Sequence, residues 1–498
     1  MLVDIKDIIE YDILKKSLKE YVNCYNIQLY YPPITLYTNR NDTSLCYFKS
    51  DYFIHSINKR VDENIYNVNV LVDNKSLVSK DVFIKKAPIL NPYKYISEEY
   101  SNMSIPFLSS VSVKETIDAV NSIENTAYID AFFSHLGSNL ANKCPIFPMY
   151  YGTMSCMLKE FKYDVTEEYE EMQYTSWYND NVNKMFRVVE KEESYKMSSK
   201  RRIDSISNIS CNSNIEDISN IEDISNIEDI SNYVEESNTI LDNIVLDEIV
   251  LDDSASVVSN DSSVLSDTYI EINNYPVQLI MLEKLDYTLT EYLEINKCED
   301  KDINSILSIL FQICFGLAVA QKEYSFVHND LHASNIMLKN TEQKYLNYCY
   351  RNKFYKIPTF NKIVKIIDFE RSAFYYKGRF FISDVFSKDG DAEGQVIHPS
   401  VRNKNIPKPN PSFDLAFLST TIIEYFEDDK YKELRELLKS WTKDKYGNYL
   451  YNEDNDFDLY VNISKNVRNV IPKDQILHSL FKRFEVNKKD ISGKTYYL

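Results

Sequence analysis

Twelve residues, Phe326-Val327-His328-Asn329-Asp330-Leu331-His332-Ala333-Ser334-Asn335-Ile336-Met337, constrain this chain more than any other stretch. They put an asparagine five positions after an aspartate, and they lie between a long apolar helical segment and a second apolar run that ends in Ile366-Ile367-Asp368-Phe369. Moving a phosphoryl group takes a carboxylate that accepts or orients the attacking hydroxyl, and oxygen donors that hold a metal ion on the phosphates. A further carboxylate must grip the metal that bridges them. Asp330, Asn335 and Asp368 are the candidates for those three groups. A lone Asp330 would be read as a solvated loop acid; the asparagine at its offset, the helix before it and the strand after it together specify a site.

A chain of 498 residues can bury a large core and usually forms more than one domain. Its hydrophobic fraction, 44%, is that of a globular protein, and no run is expected to approach the ~18 apolar residues of a membrane span, so no membrane partner is expected. The opening Met1-Leu2-Val3-Asp4-Ile5-Lys6-Asp7 is charged from the start and lacks the basic-then-apolar pattern of a secretory signal. Eight cysteines are scattered without a C-x-x-C pair, which points away from zinc sites and disulfides and toward a reducing, cytoplasmic setting. The formal charge of −19 is largely local: fifteen Asp and Glu and no Lys or Arg lie between Asn212 and Tyr269, and removing them leaves −4. So mild an excess over the rest gives no reason to expect nucleic-acid binding.

Along the chain, Ile5, Ile8, Ile9, Tyr11, Leu14, Leu18 and Tyr21 carry a helical pattern. Strand-like runs follow at 29–38, 45–55, 66–72 and 81–87, then a helix over 128–136 and a strand over 146–151. Residues 157–273 interrupt this order. Within them Ser213-Asn214-Ile215-Glu216-Asp217-Ile218 recurs at Ser219 and Ser225. A period of six fits neither a helix nor a strand face, and an acidic repeat without aromatics buries too little apolar area to offset ordering, so 198–268 is expected to be disordered. Its S-x-x-E spacing suits phosphorylation by an acidophilic kinase and docking of a partner; expansion of a tolerated surface loop is the plainer reading. Order returns with the apolar strand at 277–285. Asp302 caps a helix whose Ile303, Ile306, Leu307, Leu310, Ile313, Cys314 and Leu317 form one buried face. An enlarged hairpin is expected over 340–361, a central helix from Ser412 to Ile423, and closing helices through Leu434, Leu437, Leu438 and Trp441 and through Ile476 to Phe484.

Taken in order, Phe83-Ile84-Lys85-Lys86-Ala87, the segment Glu283-Lys284-Leu285, His328 to Asn335, Ile367-Asp368-Phe369 and Asp414 resemble the protein-kinase-like superfamily. The run from Phe83 to Tyr95 and the helix Tyr128 to Leu136 are similar to kinase-like proteins of giant DNA viruses. The resemblance implies an α+β, two-lobed fold. A helical extension (1–27) would precede a mainly β N-lobe (28–156) completed by 274–285, with 157–273 inserted and a mainly α C-lobe over 286–498. It implies ATP and Mg²⁺ as cofactors and Ser or Thr of a protein as substrate. Lys85 would contact the α and β phosphates, with Asp130, or Glu124 behind it, as its acidic partner. Backbone groups of Glu283, Lys284 and Leu285 would meet adenine. Asp330 would act as base, Asn335 and Asp368 would hold the metal, and Asp414 would brace the catalytic loop. A viral origin would place the protein in the host cytoplasm or the virion.

Three departures from that pattern bear on mechanism. No glycine occurs before Gly137, so the backbone cradle that a glycine-rich loop offers phosphates is missing. Asn329 stands where an arginine would neutralise an activation-loop phosphate, so activation by phosphorylation there is not expected. Glu370 stands where a glycine would follow Asp368-Phe369, adding negative charge beside the metal. The missing glycines and Glu370 favour a rival reading, a pseudokinase scaffold. His332 favours another, a small-molecule kinase of the aminoglycoside or choline type, against the simpler role of a histidine that orients the loop.

Overall fold

The computed structural model describes residues 2–4, 11–29, 32–36, 46–48, 52–72, 76–100, 119–166, 168–190, 268–295, 302–388, 390–396, 398–399, 409–450 and 456–498. The expected disorder of 198–268 falls outside these residues except at Thr268, which opens the strand Thr268–Glu283; Ile5, Ile8 and Ile9 also lie outside.

Strands Tyr52–Arg60, Ile65–Val72 and Ser76–Pro88 bury Ile54, Val68, Val70, Val82 and Ile84 and turn polar residues the other way, the period of two that a sheet with one covered face requires. They form one antiparallel edge of a seven-stranded curled sheet, which continues through Thr268–Glu283 and Tyr150–Asp164 to Cys24–Gln28. The seventh strand, Phe186–Glu190, pairs with the start of Thr268–Glu283. Helix Tyr11–Tyr21 buries Leu14 and Leu18 in the core, and Ser17 Oγ accepts the Ile57 N–H at 3.1 Å.

Four expectations change here. Leu2–Asp4 is a strand paired with Cys46–Phe48 rather than part of the first helix. Pro32–Thr35 is a helical turn rather than a strand, because Pro32 and Pro33 have no N–H for a ladder and a fixed φ suited to a first turn. The strands on either side of the interruption run past 157 and 273: Tyr150–Asp164 pairs with Thr268–Glu283 out to Asp164 and Tyr269, so the sheet carries the chain across both limits. Finally, Ile303–Tyr324 is, by length and composition, a helix able to cross a membrane, although Asn304, Ser305, Ser308 and Gln312 interrupt its apolar run. It lies buried inside the fold as the core helix of the second half.

That helix starts at Asp302, whose carboxylate accepts the Asn304 N–H at 2.9 Å. Its Phe311 packs on Phe315, Tyr348, Tyr355 and Phe481, and full burial of each such ring contributes about 2–3 kcal/mol. Tyr348 and Tyr355 belong to the expected hairpin, strands Tyr345–Tyr350 and Lys353–Pro358, whose edges are covered by Thr495–Tyr497 and Glu485–Val486. A small sheet of Tyr287–Thr288, Ile336–Asn340 and Lys362–Ile366 links the motif to Asp368, and the helix Phe413–Ile422 is buried on most sides as expected. Tyr128–Leu136 falls within helix Thr126–Ser138.

Candidate active site

The spacing of five between Asp330 and Asn335 has a local cause. A single 3₁₀ turn, Ala333–Asn335, brings the Asn335 side chain back so that Nδ2 donates to the Asp330 carbonyl at 2.9 Å. Oδ1 remains as its acceptor. The Asn335 carbonyl takes the Ile367 N–H at 3.0 Å, which sets Asn335 beside the strand end that bears Asp368. His328 Nε2 lies 2.8 Å from the Ile367 carbonyl; since a carbonyl only accepts, that nitrogen carries the proton. The loop backbone is held from below: Asp414 accepts the His328 N–H at 3.0 Å and the Asn329 N–H at 3.1 Å. Burial pushes the Asp414 carboxyl up to about 6, against the pull of His328 and the two N–H groups. Asn329 takes φ 60°, a conformation asparagine tolerates.

Lys85 meets this loop from the large sheet. Its Nζ lies 2.6 Å from Asp130 Oδ2 and 2.6 Å from Asp368 Oδ1, with Glu370 at 3.5 Å. Asp130 is fully buried, and its other oxygen accepts the Phe369 N–H at 3.2 Å. Thus one short carboxylate ties helix Thr126–Ser138 both to the lysine and to the Asp368-Phe369 turn. Glu124 is elsewhere: its carboxylate is 3.7 Å from His398, and its carbonyl accepts the Asp384 N–H. Phe133 stacks on Phe326 at 3.9 Å and touches Phe369 at 4.9 Å, so an aromatic cluster locks together the elements that carry Asp130, Asp330 and Asp368.

Charge balance follows from that packing. Burial disfavours a charged Lys85, but Asp130, Asp368 and Glu370 outweigh it and hold the ammonium well above its usual pKa. Burial likewise opposes ionisation of Asp368, and Lys85 overrides it to keep the carboxyl below the usual range. Glu370 goes the other way: the Asp368 carboxylate beside it, then burial, raise it to about 7. The carboxylates of Asp130, Asp368 and Glu370 present oxygens within 4.8 Å of one another. With Asn335 Oδ1, these are hard oxygen donors of the kind Mg²⁺ takes.

The segment Glu283-Lys284-Leu285 is more committed than expected. The Glu283 N–H donates to the Met149 carbonyl at 2.9 Å, and its buried carboxylate takes the Met149 N–H, Lys339 and Lys365. Burial opposes its charge, but the lysines keep its carboxyl below the usual range. The residue therefore serves the sheet through its N–H and its side chain. Lys284 Nζ is exposed, 3.9 Å from Asp81. The hairpin turn at Val61–Asn64, between the first two of the strands that lead to Lys85, is closed by Val61 and Asp62 N–H groups donating to the Ile65 carbonyl.

Two residues at the site have no signal in the sequence. Tyr460, on helix Asp456–Asn466, donates its hydroxyl to Asp330 Oδ1, and Arg371 Nη1 lies 3.2 Å from that hydroxyl and 3.7 Å from Asp330. His332 donates its N–H to the Asp330 carbonyl, and its Nε2 stands 3.9 Å from the carboxylate.

No protein-family model matches the chain. Part of it is similar to the serine/threonine-protein kinase haspin of Mus musculus, 34% identical over 110 residues, which is 21% of this chain and 15% of the mouse protein. A haspin homolog of Drosophila melanogaster is 28% identical over 134 residues, 25% of this chain and 24% of the fly protein. A putative serine/threonine-protein kinase of Acanthamoeba polyphaga mimivirus is 41% identical over 69 residues, 13% of this chain and 17% of the viral protein. The chain thus spans less than a quarter of the length of each. These relatives are haspin-like serine/threonine kinases and viral kinase-like proteins, in keeping with the protein-kinase-like superfamily.

Proposed function

We propose that this protein is an ATP- and Mg²⁺-dependent phosphotransferase that acts on Ser or Thr of a protein, on a two-lobed kinase-like fold without a glycine-rich loop. The observation that carries the reading is the ammonium of Lys85 at 2.6 Å from both Asp130 and Asp368, while the residue before Asp368, Ile367, donates its N–H to the Asn335 carbonyl. The curled sheet is the N-lobe and the helical half the C-lobe. Lys85 binds and orients the phosphates, Asp330 orients the substrate hydroxyl and accepts its proton, and Asn335 and Asp368 hold the metal. The bound Mg²⁺ supplies neutralisation of the phosphate charge. Positioning and charge neutralisation account for nearly all catalysis in this chemistry, and these residues are the parts that perform it.

A second reading, a pseudokinase scaffold, is favoured by one observation: Glu370 sits 3.5 Å from Lys85 and adds a third carboxylate to the phosphate site. Purified protein with labelled ATP and Mg²⁺ separates the readings. Transfer to casein or to itself, abolished by Asp330→Ala and by Asp368→Asn, supports the protein kinase. Nucleotide binding without transfer supports the scaffold, and transfer to an aminoglycoside or choline-like alcohol alone supports a small-molecule kinase.

A further inference from the structure

Resting on the phosphotransferase reading, we propose that Tyr460 is the positioning residue of the catalytic carboxylate, fixing the rotation of Asp330 from a helix 130 residues further along the chain. A hydroxyl has one proton to give. Tyr460 Oη has two acceptors in reach, Asp330 Oδ1 and the Asn329 carbonyl at 2.7 Å, and an ionised carboxylate is the stronger. Arg371 Nη1 donates to the same oxygen at 3.2 Å, which polarises the O–H and strengthens its donation. The result is a directed chain from guanidinium to phenol to carboxylate. It commits Oδ1 and leaves Oδ2, which His332 Nε2 approaches only to 3.9 Å, to take a substrate proton.

The phenol is placed rigidly. Tyr460 is fully buried, and its ring lies 4.6 Å from Phe417 and 5.3 Å from Phe413. Those two residues flank Asp414 on one helix, and Asp414 holds the His328 and Asn329 N–H groups. Helix Phe413–Ile422 therefore controls the loop twice: its backbone through Asp414, and its carboxylate through the ring that Phe413 and Phe417 support. Arg371 is held in turn, since its carbonyl accepts Asn329 Nδ2 at 3.1 Å and its guanidinium lies 5.5 Å from the Tyr460 ring. Burial and the adjoining Asp330 carboxylate keep the phenol protonated far above its usual range, so it stays a donor.

Tyr460→Phe removes the O–H and keeps the ring, so the packing on Phe413 and Phe417 survives. The full-length chain is assayed with labelled ATP, Mg²⁺ and casein, with self-labelling as a second acceptor, alongside Asp330→Ala. Tyr460→Phe is expected to lower kcat roughly 10- to 100-fold, the scale of a misplaced reacting group, with KM for ATP within about twofold and a smaller fall in melting temperature than Tyr460→Leu. Tyr460→Leu, which also loses the ring, is expected to lower the melting temperature as well. Wild-type kcat in Tyr460→Phe, or a loss that only tracks a fall in melting temperature, overturns the inference while Asp330→Ala remains inactive. Absence of transfer by the wild type overturns the phosphotransferase reading and this inference with it.

Discussion

The Lys85 ammonium is 2.6 Å from Asp130 and 2.6 Å from Asp368, residues 45 and 283 positions away in the chain. One side chain of the large sheet thus joins a helix and the end of a distant strand. Replacing it with Met leaves Asp130, Asp368 and Glu370 facing one another without a cation. Lys85→Met is expected to lower label transfer by more than about 100-fold and, because the site is partly open to water, to cost only ~1–3 kcal/mol of stability. Initial rates with labelled ATP and chemical denaturation measure the two effects. Retained transfer removes Lys85 from the mechanism.

Asp414 makes a sharper structural prediction. The His328 N–H lies between its two oxygens, at 3.1 Å and 3.0 Å, and Oδ1 also accepts the Asn329 N–H, so Asp414→Asn keeps one acceptor for both groups but turns an amide NH2 toward the His328 N–H. Asp414→Ala leaves two buried N–H groups without acceptors, at a cost of about 2–4 kcal/mol. Urea unfolding at neutral pH should therefore rank wild type first, Asp414→Asn between, and Asp414→Ala lowest. Equal stability of the alanine variant and wild type rejects the brace.

Asp384 carries a pH dependence. Burial pushes its carboxyl from 3.8 up to about 6, although Thr126 donates both its N–H and its hydroxyl to Oδ1. As pH rises through this window the unfolded chain loses its proton first, so the folded state grows relatively less stable between about pH 4 and 6 and levels off above. Asp384→Asn keeps the acceptor for Thr126 and cannot ionise. Its stability relative to wild type should rise by on the order of 1–3 kcal/mol across that window, as read from urea midpoints at pH 4, 5, 6 and 7. A flat difference shows that Asp384 does not titrate this way.

Gly316 allows the core helix to approach the strand end that leads to Asp368. A Cβ there would sit 2.5 Å from Ile146 Cγ1, and the Ile146 carbonyl accepts the Ile366 N–H at 2.8 Å. Gly316→Ala is expected to cost about 1–3 kcal/mol through overpacking and to lower transfer by shifting Ile366 and with it Asp368. Thermal unfolding and the transfer assay check this together; a variant as stable and active as wild type shows that Ile146 can yield.

Much of the site was legible along the chain. The loop closes on itself within six residues, so Asp330 and Asn335 announce their relation by spacing. Lys85 follows from strand alternation, and Asp302 from the cap of a periodic helix. The differences have two causes, one local and one long-range. Leu29 to Thr38 alternates well enough to suggest a strand, yet two prolines without N–H groups make Pro32–Thr35 a helical turn. The limits 157 and 273 fall where composition changes, whereas the ladder between Tyr150–Asp164 and Thr268–Glu283 continues through both. Backbone pairing across a hundred residues leaves little trace in local composition.

By itself the sequence determined which groups are available for phosphoryl chemistry and which segments are helix or strand, since both depend on neighbours within a turn or a pleat. Only the tertiary structure decided that Asp130 rather than Glu124 pairs with Lys85, that Glu283 is tied up by two lysines, and that Tyr460 and Arg371 reach Asp330. Those choices depend on sheet register and on how one helix lies against the next. Such distances are set by the packing of the whole core rather than by any short run of residues.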